Sequence, residues 1–298
     1  MKILLLGASG QVGLELSRVL PRLGVLYSCN RGEVDFSIID SVRHVLSLYQ
    51  PDCIVNAVAY TDVDAAENNK HEAFSVNAEC LKVISEEAFK RNAWLIHYST
   101  DYVFDGRKSS SYREIDLPNP LNVYGQSKLA GEKIIQDSAC KYIIFRTSWV
   151  VGSHGQNFIK SIINLSQERD HLHIVNDQKG APTTASFIAE ITSKVIDKLK
   201  TKPLSSGIYH LSLRGETTWF DLAKYIIQCS EECGLGLNLD SDSVFPISTE
   251  KFSTTAKRPL NSLLSTRKLE GQLDYNFPHW EGEVDAVIKE IIKGLISK

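Results

Sequence analysis

The first thirteen residues constrain this chain more than any other segment. Residues 3–6 form a short apolar run of the kind that fills a buried strand, and they lead straight into Gly7-Ala8-Ser9-Gly10-Gln11-Val12-Gly13. Residues 11–20 then place Val12, Leu16, Val19 and Leu20 on one helical face. A strand, a GxxGxxG turn and a helix in that order make a cradle for pyrophosphate. The glycines allow a tight turn and close backbone approach, and the helix start offers free N–H groups and the positive dipole end. Gly7, Gly10, Gln11, Val12 and Gly13 are therefore candidate cofactor-binding positions. A glycine turn alone is weak evidence, because a tight turn needs no ligand. Its place between strand and helix strengthens it.

The next stretches repeat the alternation. Strands are predicted at 25–29, 53–57, 94–98 and 142–146, with helices at 40–49, about 72–92 and 127–137. Strands alternating with helices imply an α/β fold, a Rossmann-like doubly wound parallel sheet with right-handed crossovers. Ligands of such sheets bind beyond the strands' C-terminal ends. The second half is less regular. Helices are predicted at 156–169, 186–199, 219–233 and 283–296, with a strand at 208–213 and a loop-rich stretch at 234–270. The expected organisation is an NAD(P)-binding Rossmann domain over 1–150. Residues 151–298 are expected to form mainly a smaller α/β substrate-binding lobe, with some segments returning to the first domain.

Composition narrows the partners. With 43% hydrophobic and 23% charged residues the chain reads as a soluble globular protein. A net charge of −3 without a basic stripe argues against binding nucleic acid. No apolar run is long enough to span a membrane or to form a signal-peptide core, so a cytoplasmic location is expected. Cys29, Cys53, Cys80, Cys140, Cys229 and Cys233 show no CxxC or zinc spacing and read as reduced packing residues.

The cofactor end extends beyond the glycine turn. After the second strand, Cys29-Asn30-Arg31-Gly32 lacks the acid that commonly binds the adenosine ribose. Arg31 is a candidate for a 2′-phosphate, which favours NADPH over strict NADH, while a plain surface arginine remains the simpler alternative. Asp35 and Phe36 are candidates for the adenine pocket, and Ala57, Val58 and Ala59 for a flat cofactor floor after the third strand.

The chemical end lies between the fourth strand and the next helix. His97-Tyr98-Ser99-Thr100-Asp101-Tyr102-Val103-Phe104 is followed by Tyr124-Gly125-Gln126-Ser127-Lys128, a YxxxK pair that shares one helix face. A phenol with a pKa of about 10 is a poor acid–base group near neutrality. A neighbouring ammonium and an oxidised nicotinamide favour the phenolate and make it usable. Thr100 supplies a hydroxyl to orient a carbonyl. A YxxxK pair alone is mostly coincidence. Glycine turn, hydroxyl after the fourth strand and YxxxK at the next helix fall in the order this fold requires, which points to a reductase with Tyr124, Lys128 and Thr100 as its catalytic residues. Trp149 and Arg258 suit a nucleotide diphosphate-sugar, since an aromatic stacks on a base and a guanidinium pairs with phosphate, with a plain core tryptophan and a solvated surface arginine as equally simple alternatives.

Residues 7–16, 55–67, 97–104, 119–133, 145–150, 174–183 and 257–261 together resemble the dTDP-4-dehydrorhamnose reductases of the extended short-chain dehydrogenase/reductase family. The strings at 97–104 and 120–125 are far more specific than the glycine turn. The resemblance implies that NADPH or NADH reduces the C4 keto group of dTDP-4-dehydro-β-L-rhamnose, giving dTDP-L-rhamnose. It implies that Tyr124 donates the proton and that Lys128 lowers the tyrosine pKa and holds the ribose. Thr100, Asp101 and Trp149 would contact the substrate, with Tyr98 a further cofactor-side position. Some relatives are described as Mg²⁺-bridged dimers. Glu15 fits one ligand position, but Ser186 stands near the other and is no carboxylate, with Glu190 one turn away. No metal site is expected, and monomer and homodimer both stay open. Two other functions also remain: a reductase of a related nucleotide 4-keto-6-deoxy sugar, and a non-catalytic regulatory subunit. Retention of Tyr124, Lys128 and Thr100 together argues against the second.

Overall fold

Period-two alternation inside apolar strands builds the sheet. The computed structural model describes residues 1–30 and 32–296. In β1 (Lys2–Leu6) Ile3 and Leu5 join one apolar core while Leu4 and Leu6 join another on the opposite face. The same division separates Val55 from Ile54 in β3 (Cys53–Asn56) and Ile96 from Leu95 in β4 (Trp94–Thr100). Both faces are covered, which is why these strands read as continuous apolar runs.

Helix α1 (Gln11–Val19) follows β1, and β2 (Val25–Cys29) leads to α2 (Ile39–Tyr49). After β3 come α3 (Val63–Asn68), α4 (Lys70–Phe74) and α5 (Cys80–Lys90), then β4, α6 (Val123–Asp137) and β5 (Lys141–Thr147). The second half adds β6 (Val150–Val151), α7 (Phe158–Glu168), β7 (Leu172–Val175), β8 (Lys179–Gly180), β9 (Thr183–Thr184) and α8 (Ala185–Thr201). It continues with β10 (Gly207–His210), β11 (Thr217–Thr218), α9 (Trp219–Glu232), β12 (Val244–Ile247), α10 (Arg267–Leu273) and α11 (Trp280–Ile296).

Six strands form the main sheet in the order β10-β5-β4-β3-β1-β2, and every pairing is parallel. The order reverses beside β1, which opens a crevice at the strand ends. β10 comes from the second half of the chain and pairs with β5. The predicted strand at 208–213 is shorter than expected. Beyond His210 the chain leaves the sheet, and Leu211 N–H still reaches the Arg146 carbonyl at 2.8 Å.

Two expectations need correction. The single helix predicted at about 72–92 is instead α4, a π-helical turn at Ser75–Glu79, and α5. The interruption accompanies Asn77, whose amide accepts from Tyr60 N–H at 2.8 Å and donates to the Tyr60 carbonyl at 3.1 Å and Ser127 Oγ at 2.9 Å. A π turn commonly marks such a demand on one side chain. The stretch at 234–270 is not only loop: it contains β12, which pairs in parallel with β7, and the start of α10.

Candidate active site

A cleft of about 760 Å³ opens at the C-terminal ends of the central strands. Its cofactor end is the glycine turn. Gly7 has φ +84°, and a Cβ there would lie 3.0 Å from Ala57 C and Val58 N, so both conformation and space favour glycine. Gly13 does not line the cleft. It is buried behind the turn, where a Cβ would meet the Gly7 carbonyl oxygen at 2.0 Å. Its role is to let α1 pack against the turn. Gly10 stands at the N-cap of α1 and no side chain caps that helix. By contrast, Asn122, Asn157, Thr184 and Thr218 cap α6, α7, α8 and α9. The free first-turn amides of α1 and the open face of Gly10 fit a pyrophosphate.

Gly10, Gln11, Val12, Phe36, Ala57, Val58 and Ala59 all border the cleft. Asn157 donates to Gln11 Oε1 at 2.9 Å, which ties the turn to the second half of the chain. Asp35 does not border the cleft. It is exposed, and its Oδ1 accepts from Ser37 N–H at 2.9 Å and Ser37 Oγ at 2.6 Å. Arg31 lies outside the described residues.

The chemical end is organised by the start of α6. Asn122 accepts from Gly125 N–H at 2.8 Å and donates to the Lys257 carbonyl at 2.8 Å. Glu67 Oε1 takes the Val123 N–H at 2.8 Å. These bonds fix the first turn and hence Tyr124, whose ring meets Tyr102 edge-on at 5.6 Å. Burial pushes the Tyr124 phenol up to about 12, partly offset by a hydrogen bond with Thr100, and the Asp101 charge raises it further. Thr100 Oγ1 donates to Asp101 Oδ1 at 3.1 Å and accepts Tyr102 N–H at 3.1 Å. Burial lifts the Asp101 carboxyl to about 6, against hydrogen bonds from Ser262 and Thr100.

Lys128 is 2% exposed. Its Nζ donates to the Tyr98 carbonyl at 2.6 Å and lies 3.3 Å from His97 Nε2. Burial lowers its pKa to about 8, opposed by the charges of Glu132 and Cys80. Tyr98 borders the cleft, but its phenol turns into the core on the α8 side, where the hydroxyl lies 2.8 Å from Thr192 Oγ1. Its carbonyl is the part that serves Lys128.

Trp149 also borders the cleft, with φ +47°, and stacks on Trp219 at 3.5 Å and 11°. Trp219 is held by Gln178, whose Oε1 accepts its indole N–H at 3.2 Å. Arg258 does not border the cleft. Its guanidinium donates to Asp64 Oδ2 at 2.6 Å and Oδ1 at 3.3 Å, and it supports Tyr102 by a further hydrogen bond. Thr61, Val63, Tyr102 and Trp219 border the cleft without having been singled out in the sequence. Tyr102 was within reach, since it sits in the string around Thr100. Trp219 carried only a helix-start signal, and nothing local pairs it with Trp149, seventy residues earlier. Among the described residues no group of three or more His, Cys, Asp or Glu is placed to hold a metal ion. No described helix is long and apolar enough to cross a membrane.

Known proteins resemble this chain in sequence and fold. A family model described as the RmlD substrate binding domain matches residues 1–293. The dTDP-4-dehydrorhamnose reductases of Shigella flexneri and Escherichia coli (strain K12) are each 41% identical over 295 residues, covering 98% of this chain and 98% of theirs. The crystal structure of dTDP-4-dehydrorhamnose reductase from Bacillus anthracis str. Ames in complex with NADP matches with a TM-score of 0.88 at 33% identity, covering 97% of this chain and 99% of that one. The chain belongs to the RmlD family, that of the dTDP-4-dehydrorhamnose reductases.

Proposed function

We propose that this protein reduces the C4 keto group of dTDP-4-dehydro-β-L-rhamnose to the alcohol, giving dTDP-L-rhamnose, with NADPH or NADH as reductant. One observation carries the reading: the uncapped start of α1 and the Thr100–Tyr124–Lys128 group open into one cleft. The family membership supplies the sugar.

The fit of the nicotinamide cofactor rests on the Gly7 turn, the free amides of α1 and the small residues Ala57 to Ala59. When bound, it supplies the hydride to C4. Gly10, Gln11 and Val12 hold the pyrophosphate, and Phe36 flanks the adenosine. Tyr124 is the acid. A phenol pushed up to about 12 stays protonated near neutrality, so its proton is available to the oxygen at C4. Thr100 orients that oxygen. Lys128 spends one N–H on the Tyr98 carbonyl and keeps another for the ribose. Trp149, backed by Trp219, packs on the sugar or base, and Arg258 acts through Tyr102 at the cleft wall. We assign residues 1–150 with β10 mainly to the cofactor, and most of 151–298 to the substrate.

The test is consumption of NADPH, compared with NADH, in the presence of dTDP-4-dehydro-L-rhamnose, with the product identified by NMR. A rhamnose product is expected. A talose product, or no consumption of either cofactor, would overturn the reading.

A further inference from the structure

His97 is 1% exposed, and burial together with the Lys128 charge holds its pKa well below the usual histidine range. It is a neutral imidazole, so one ring nitrogen carries a proton and the other accepts. Nδ1 lies 3.2 Å from Asn56 Nδ2, and Nε2 lies 3.3 Å from Lys128 Nζ. Asn56 Oδ1 is occupied, accepting Val58 N–H at 3.1 Å. Its amide nitrogen therefore faces Nδ1 as a donor, which makes Nδ1 the acceptor and puts the proton on Nε2. That proton points at Lys128.

A charged Lys128 does not fit this chain of bonds. An ammonium has three donors and no acceptor, so Nε2–H meets N–H. Moving the proton to Nδ1 only transfers the conflict to the Asn56 amide. Turning that amide over transfers it again, to Val58 N–H. Each arrangement has one proton too many, at side chains of which Asn56 and His97 are each 1% exposed. A neutral amine satisfies every group: its lone pair accepts Nε2–H, one N–H goes to the Tyr98 carbonyl, and the other is left for the cleft. Two anionic-capable groups face Lys128 from other directions. Glu132, one turn on in α6, is already claimed by Arg146, and Cys80 lies on α5. Tyr124 shares the helix face on the cleft side.

We propose that Val58, Asn56 and His97 form a tautomer lock that aims a proton at Lys128 and makes the neutral amine an accessible state of that lysine. His97 and Asn56 are thus positioning residues that set the pH at which the lysine changes charge. The importance of this for turnover rests on the reductase reading; the lock itself does not.

The test uses the intact cofactor-free protein, so its outcome is independent of the substrate. Long-range ¹H–¹⁵N spectra report the His97 tautomer, and ¹³Cε-lysine spectra follow the titration of Lys128. In the wild type at about pH 9, above the lysine midpoint, the Nε2–H tautomer is expected. Asn56→Ala frees the tautomer without adding charge and is expected to raise the Lys128 midpoint by about one pH unit, tenfold in acidity, because one donor conflict is removed. Asn56→Asp is expected to convert His97 to the Nδ1–H form. An Nδ1–H tautomer in the wild type at that pH overturns the proposal. So does an unmoved Lys128 midpoint in Asn56→Ala. The wild-type spectrum decides even where a variant fails to fold.

Discussion

Two methyl groups, placed three residues apart, separate the binding role of the glycine turn from its packing role. At Gly10 an added Cβ meets only the Gly7 carbonyl oxygen, at 3.5 Å, and φ −75° suits alanine. Gly10→Ala is therefore expected to leave stability unchanged or to raise it by about 0.4–1 kcal/mol, through the lost freedom of the unfolded chain. The same methyl projects where a pyrophosphate must approach the α1 amides. Losing one charge-assisted hydrogen bond of about 1.5–3 kcal/mol weakens binding by about one to two powers of ten. At Gly13 the added Cβ would sit 2.0 Å from the Gly7 oxygen and 2.9 Å from Ala8 backbone atoms. Helix α1 must then lift from the turn, at a cost of about 1–3 kcal/mol, and cofactor binding falls with it. Urea unfolding gives the first quantity, and titration of NADPH followed by its own fluorescence gives the second. A Gly10→Ala protein that binds NADPH like the wild type would refute the placement of the pyrophosphate. A Gly10→Ala protein as destabilised as Gly13→Ala would refute the division of roles.

Three further perturbations test the surroundings. Arg146 and Glu132 are 2% and 0% exposed and doubly bonded at 2.9 and 2.6 Å. Glu132→Ala is expected to cost about 3–5 kcal/mol by stranding a buried guanidinium, and a loss under about 1 kcal/mol in chemical denaturation would contradict this. Asp101 has a folded pKa raised from 3.8 to about 6, so its stabilising protonated state is complete below 3.8 and lost as pH rises through about 6. Asp101→Asn is expected to stabilise the fold above that pH by up to about 2–3 kcal/mol, with the gain vanishing toward pH 4, in unfolding curves at several pH values. An effect that is equal at both ends would show that the carboxyl is not the cause. Trp219→Ala removes a stack of about 0.5–1.5 kcal/mol beneath Trp149 and is expected to raise KM for the sugar nucleotide about three- to tenfold, with NADPH affinity unchanged. Equal losses for both ligands would place the tryptophan pair elsewhere in the mechanism.

The parallel sheet was legible because each strand is a short apolar run bounded by a helix with clear periodicity. The order glycine turn, Thr100, Tyr124, Lys128 was legible for the same reason, as every member lies at a strand end or helix start. What escaped were relations between distant segments. Asn77 distorts its helix to reach Tyr60 and Ser127, and no propensity reports that. Among the described residues, the strands at 172–175 and 244–247 pair with each other alone. Tyr98 and Arg258 stand out as site candidates in sequence, but the bond of the phenol to Thr192 and of the guanidinium to Asp64, each far away along the chain, does not. Side-chain direction and ion pairing of this kind are tertiary facts.

Tyr124 is the proton donor on which the proposed reduction depends. Single-turnover oxidation of bound NADPH by dTDP-4-dehydro-L-rhamnose, in wild type and Tyr124→Phe, tests it most directly. Loss of the general acid is expected to slow the step by about a hundredfold or more, with NADPH affinity and unfolding free energy retained. A Tyr124→Phe protein that turns over near the wild-type rate would contradict the assignment.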